Sequence, residues 1–191
     1  KLAGKLDLVP THVNKMWFQP DSDKLTEDLP VTLYGQCAEL CGLSHALMRF
    51  RVTVMEQNDF DSWVAAYGAP PAISDKAKAG QQLFAANCTL CHNIDGPDDP
   101  ALSASRLTGF FSGGDITPVP APNLTDLRTR QTLGAGITDL TEDNLHSWIR
   151  NPEDFKPGNY MSERAVLYQN GPASLTDDEI DSLIGYLLDL R

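Results

Sequence analysis

The chain has 191 residues, a net charge of −11 and a hydrophobic fraction of 41%, enough for one large domain or two small ones with compact cores. So acidic a surface would be repelled by phosphates, which argues against nucleic acid as a partner. No apolar run approaches the roughly 18–20 residues that a membrane span needs, and no basic-then-apolar leader opens the sequence. The first residue is Lys1 rather than Met, as expected of a processed or truncated form that has lost a leader or anchor.

In chain order, 13–18 and 31–34 are short β-like runs separated by polar and Pro-containing turns. Residues 48–56 alternate: Met48, Phe50, Val52 and Val54 fall on one face, Arg49, Arg51 and Thr53 on the other, the period of a strand. A brief helix is predicted over 59–67 with Asn58 as its cap. The stretch 68–75, with Gly68 and two prolines, reads as a short semi-rigid linker.

After it the period becomes helical. Ser74 or Asp75 is placed to cap a helix running to Cys88, with Leu83 and Phe84 on its apolar side. The Gly/Pro/Ser-rich segment 95–122 shows no regular pattern. A second helix is predicted over 141–150, opened by Glu142 and Asp143, whose charges suit a helix N-terminus. The last helix carries a Thr176/Glu179 capping box and a stripe of Ile180, Leu183, Ile184, Leu187 and Leu188 at buried-face spacing. The expected fold class is therefore β followed by all-α.

Four cysteines form two pairs, Cys37/Cys41 and Cys88/Cys91, each with a nearby histidine. Cys88-Thr-Leu-Cys91-His92 is a C-x-x-C-H haem-attachment signature. Two thiols add to the two vinyl groups of one porphyrin, and the adjacent histidine reaches the iron. A thioredoxin-like dithiol would want a βαβ context, and a zinc site a second C-x-x-C; neither is present. A methionine as second axial ligand raises the potential of an electron-transfer haem. Met161, in the loop-like stretch Lys156-Pro-Gly-Asn-Tyr-Met161, is the candidate, and His146 is read as a surface or packing residue.

The β region carries Cys37-Ala-Glu39-Leu-Cys41-Gly-Leu-Ser-His45-Ala-Leu-Met48. Thiolates, a thioether and an imidazole select copper over hard cations. A Cys37–Cys41 disulfide is the plain alternative, but it leaves the ordered histidine and methionine unexplained.

Over about 75–191 the chain resembles the class I cytochrome c family. The features that carry the likeness are the Gly80/Phe84 helix, the Ala121-Pro-Asn-Leu124 turn, Trp148, the Met161 loop and a terminal helix with Tyr186. The resemblance implies covalent haem c on Cys88 and Cys91, axial ligation by His92 and Met161, and a helix crossing in which Gly80 and Phe84 meet Tyr186 or Leu187.

The C-x3-C-x3-H-x2-M order, with 1–10 and Met16-Trp-Phe18, resembles the copper A region of cytochrome c oxidase subunit II. That likeness implies a partial cupredoxin-like β-sandwich over 1–67, a linker at 68–75 and a cytochrome c helical domain over 76–191. It also implies a binuclear copper A centre bridged by Cys37 and Cys41, with His45 and Met48 as terminal ligands and Glu39 donating its backbone carbonyl. The family's second histidine ligand has no match here: the only earlier histidine, His12, is read as a turn residue, and the missing ligand and membrane hairpin are expected before Lys1.

Copper A followed by cytochrome c is the arrangement of subunit II in caa3-type oxidases. The resemblance thus implies a redox subunit that relays electrons from haem c to copper A and on to the oxygen-reducing subunit I, without itself reducing oxygen. The implied partners are subunit I, other oxidase subunits and an upstream donor, a cytochrome or a quinol-oxidising complex. The implied place is the extracytoplasmic (periplasmic) face of a bacterial inner or plasma membrane, held there by segments outside this chain. A denitrification reductase subunit, or an assembly subunit with an incomplete copper site, are the alternatives.

Overall fold

The protein is described by a computed structural model covering residues 4–7, 14–21, 28–67, 73–94 and 121–190. Strands β1 (Val31–Gln36) and β2 (Arg49–Val54) form an antiparallel hairpin in which Leu33 faces Val52 and Gly35 faces Phe50. Directly opposed residues share a face. Val31, Leu33, Phe50, Val52 and Val54 therefore line one side, and Tyr34, Arg49 and Arg51 the other, as the alternation predicts. Leu33 and Phe50 remain exposed. The β half was expected to be part of a sandwich; among the described residues it is a single two-stranded sheet, and 14–18 form no strand. Among the described residues, 14–18 have no neighbouring strand to supply ladder partners, and without those a β-like composition does not make a strand.

Helix α1 (Gln57–Tyr67) starts two residues before its expected first residue. Asn58 lies inside it and accepts from the Ser62 hydroxyl through its backbone carbonyl. The helix stacks Phe60, Trp63 and Tyr67 along one side, with ring centroids 5.9 and 5.4 Å apart.

The helical core follows. A 3-10 turn, Asp75–Ala77, leads into α2 (Lys78–Asn87). Ser74 precedes this turn but its side chain caps nothing there; its N–H and hydroxyl both donate to the Asp189 carboxylate, at 2.9 and 2.6 Å. The start of α2 is thus tied to the end of the terminal helix, a long-range role that local spacing does not disclose. A small hairpin, β3 (Thr132–Leu133) and β4 (Thr138–Asp139), precedes α3 (Glu142–Arg150), which Thr141 caps by accepting from the Asn144 N–H. After the short α4 (Tyr160–Arg164) comes α5 (Asp177–Asp189), whose capping box is formed in both directions. No helix among the described residues is long and apolar enough to cross a membrane.

Helices α2 and α5 cross at Gly80. A Cβ there would lie 2.0 Å from the Ser182 carbonyl oxygen and 2.7 Å from Cβ of Tyr186. One turn on, Phe84 meets Tyr186 with centroids 5.4 Å apart, and both rings are fully buried. Around them Leu127, Leu145, Ile149, Ile180, Leu183, Ile184 and Leu187 complete the core. Of the expected stripe on α5 only Leu188 is part-exposed, while Tyr186 joins the buried face.

Two outcomes test this core. Gly80→Ala puts a methyl group into backbone and should cost about 3 kcal/mol by over-packing, seen as a lowered Tm; an unchanged Tm would refute the close crossing. The two hydrogen bonds from Ser74 hold the Asp189 carboxyl below its usual range. A carboxyl depressed by folding stabilises above its unfolded pKa and loses that stabilisation as pH falls through the folded value. Asp189→Asn should therefore lower Tm near neutrality, and the gap to the parent protein should close as pH falls below the ordinary carboxylate range.

Candidate metal centres

The segment that closes α2 builds the first site. The Cys88 N–H still bonds the Phe84 carbonyl, and the His92 N–H returns to the Cys88 carbonyl at 2.9 Å, so a tight turn holds Cys88, Cys91 and His92 together. Nδ1 of His92 lies 2.8 Å from the Pro122 carbonyl oxygen. A carbonyl can only accept, so Nδ1 carries the proton and Nε2 keeps its lone pair. Burial lowers the His92 pKa, against the Pro122 bond, and the Arg130 charge lowers it further; the ring is neutral, as a ligand must be. Burial also pushes the Cys88 thiol up to about 12, with Cys91 adding to the shift, and raises Cys91 in turn. Two neutral thiols and a neutral imidazole with a fixed tautomer suit covalent haem attachment and axial ligation.

Two residues near this site were not singled out from the sequence. Arg130 is held by the Asp126 carboxylate at 2.8 Å and by the Asn123 carbonyl. Tyr168, buried, donates its hydroxyl to the Ile149 carbonyl at 2.8 Å; burial, with the Cys88 charge adding to it, pushes its hydroxyl pKa up. Spacing alone carries no signal for either, because both reach the site through tertiary packing. His146 lies on α3, with Nε2 at 3.5 and 3.8 Å from Asp177 and Asp181 of α5.

Met161 was placed in a loop; it stands instead in the first turn of α4 and is half-buried. Asn159 ends the loop and caps the helix by accepting from the Ser162 N–H. Glu153 holds the same loop: its carboxylate accepts from the Gly158 N–H at 2.7 Å, the Ser162 hydroxyl at 2.7 Å and the Asn159 amide at 3.3 Å. The Gly158 and Ser162 bonds hold its carboxyl below the usual range.

The second site lies on the connection between β1 and β2. A 3-10 turn, His45–Leu47, bends the chain so that the Cys37 N–H bonds the Met48 carbonyl at 3.0 Å. The donors converge. Sγ of Cys37 and Cys41 are 3.5 Å apart, and Cys41 Sγ lies 3.8 Å from Nδ1 of His45 and 3.9 Å from Sδ of Met48. The Glu39 carbonyl oxygen is 3.2 Å from the Cys37 sulfur. Both cysteines are free, their sulfurs standing farther apart than the about 2.05 Å of a disulfide bond. The Cys37 hydrogen bond raises the Cys41 thiol, with burial and the Cys37 charge adding to it. Among the described residues these two thiols and one imidazole are the cluster able to hold a metal ion, and its soft donors fit copper. His12 and most of 95–122 lie outside the described residues.

Glu153→Ala should speed amide exchange at Gly158 while leaving protection in α2 and α5 unchanged. Unchanged exchange at Gly158 would show that the carboxylate does not hold the loop.

Residues 77–191 match the family model for cytochrome c. The whole chain is 36% identical to cytochrome c oxidase subunit 2 of Bacillus sp. (strain PS3) and 34% identical to that of Bacillus subtilis (strain 168), covering 48% of each. It is also 35% identical over 77 residues to the probable cytochrome c oxidase subunit 2 of Rickettsia bellii, a stretch of 40% of this chain and 26% of that one. The chain thus spans about half the length of the Bacillus relatives. With the family model covering more than half of the sequence, and the Cys88/Cys91/His92 turn at the end of the α2–α5 crossing, the chain belongs to the cytochrome c family.

Proposed function

We propose that this chain is the electron-transfer part of subunit II of a caa3-type cytochrome c oxidase, relaying electrons from haem c to a binuclear copper A centre and on to the oxygen-reducing subunit I. The observation that carries the reading is the presence in one polypeptide of two donor sets of different chemistry. One is a C-x-x-C-H turn with a neutral histidine; the other is a convergent Cys37/Cys41/His45/Met48 cluster with the Glu39 carbonyl beside it. The relatives named as oxidase subunits favour this over a denitrification reductase.

When bound, haem and copper would supply one-electron redox couples. The residues do the rest. Cys88 and Cys91 would anchor the porphyrin, and His92 and Met161 would ligate its iron. Cys37 and Cys41 would hold the copper pair as thiolates, with His45, Met48 and the Glu39 carbonyl as its further ligands. A second histidine comes from outside the positions matched here. In this reading 1–67 is cupredoxin-like, 68–75 the linker and 76–191 the cytochrome domain. The chain works at the extracytoplasmic face of a bacterial membrane, bound to subunit I and the other oxidase subunits and fed by a cytochrome or quinol-oxidising complex. Fusion keeps donor and acceptor at a high effective concentration.

The test is the copper-to-haem ratio of the purified full-length subunit, with an electron paramagnetic resonance spectrum. Two coppers per haem and a delocalised mixed-valence signal are expected; haem without copper in the full-length protein would overturn the relay. Met161→Ala should lower the haem potential and open the iron to carbon monoxide, with covalent attachment intact. A variant with unchanged potential would remove Met161 from the ligand set.

A further inference from the structure

The polar face and outer edge of the β1–β2 hairpin lie against the helical half at two places, and both abut the proposed donor sets. At the first, Ser44, between Cys41 and His45, donates its hydroxyl to the Pro157 carbonyl at 2.6 Å. Beside it Leu43 lies against Gly158, close enough that a Cβ on that glycine would be 2.9 Å from the leucine Cδ1. Pro157 and Gly158 belong to the loop that Glu153 holds and that runs into Met161.

At the second place, the Arg49 N–H points away from β1 and donates to the Ala135 carbonyl at 2.7 Å. Residues 134–136 all have positive φ, Ala135 included at 67°. That left-handed turn between β3 and β4 presents its carbonyl to the strand edge, and a Cβ on Gly136 would come within 3.0 Å of the Arg49 Cβ. Arg51 completes the contact: one guanidinium nitrogen donates to the Gln131 side chain at 2.7 Å and another lies 3.6 Å from Asp139.

We propose that these contacts form an intramolecular docking surface that holds the copper-ligand loop against the Met161 loop, so that the two donor sets keep one fixed arrangement rather than meeting by diffusion on a tether. The proposal rests on the relay reading for its function. Its geometry rests only on contacts of this chain, whose elements are otherwise joined through the short stretch 68–75. The two contacts have different chemistry: the first is a hydroxyl and an apolar side chain at the metal loop itself, and the second is a strand-edge amide with a flanking ion pair. Either alone would leave a pivot; together they define an orientation.

The experiment uses the full-length subunit with its cofactors, comparing the parent protein with Arg51→Glu, Asp139→Arg and the charge-swapped double variant. Amide exchange at Arg49 reports docking directly, because its acceptor is a carbonyl across the contact and neither substituted position adjoins it in sequence. Each single variant should speed that exchange by about fivefold, the scale of losing one surface ion pair and gaining a repulsion, and the double variant should restore protection. The rate of haem-to-copper transfer after flash reduction should be independent of solvent viscosity in the parent and become dependent on it in the single variants. Unprotected exchange at Arg49 in the parent, or exchange indifferent to all three variants, would overturn the docking. A viscosity-dependent rate in the parent would overturn the fixed arrangement. Protected, charge-sensitive exchange without any haem-to-copper transfer would support the docking and sink the relay.

Discussion

The approach of α2 to α5 at Gly80 is the constraint on which the helical half depends. Two helices can come this close only where one has no side chain at the crossing, and here a backbone carbonyl and Cβ of Tyr186 occupy the space a methyl group would take. That contact sets the direction in which α2 travels and therefore where it ends. Its end is the turn that carries Cys88, Cys91 and His92. The Phe84–Tyr186 pair secures the rotation of α2 about its own axis, and Ser74 with Asp189 secures the other ends of the two helices. The geometry of the Cys88/Cys91/His92 turn is thus decided eight residues before the first cysteine of its motif.

Much of this was legible in the sequence where one residue type has one physical use. The capping box on α5, the Thr141 start of α3 and the alternation of β2 are local patterns, and the structure returns them within a residue or two. The convergence of Cys37, Cys41, His45 and Met48 followed from a short motif on a strand-to-strand connection. What could not be read were roles assigned by distant chain. Ser74 has the composition of a helix cap, but the Asp189 carboxylate claims both its donors. Arg130 and Tyr168 look like ordinary polar residues until packing sets the charge of the first on His92 and buries the second. Met161 looked like part of a Pro/Gly loop, yet Asn159 turns that loop into a helix just before it.

The two donor sets differ in a way that matches their chemistry. The Cys88 turn lies against the core, half-buried, and burial favours neutral thiols and a neutral imidazole. The Cys37 cluster sits on an open hairpin connection, where soft side chains are close to one another but not enclosed. Such a cluster is ordered mainly by its own turn and by whatever lies against it, here the loop that Glu153 braces. The rigidity of the second site is therefore partly borrowed from the helical half, whereas the first needs nothing from the hairpin.

The bond between His92 and the Pro122 carbonyl has one more consequence. Together with the Leu124 N–H on the Asn93 carbonyl, at 2.7 Å, it closes a ring of chain whose base is fixed whatever lies between. The entropy of closing such a ring rises only with the logarithm of its length, about 0.6 kcal/mol for each doubling. Evolution could lengthen or shorten the stretch between Ile94 and Ala121 almost without penalty to His92. The sequence between can therefore change in length and character while the bond that fixes the His92 tautomer stays as it is.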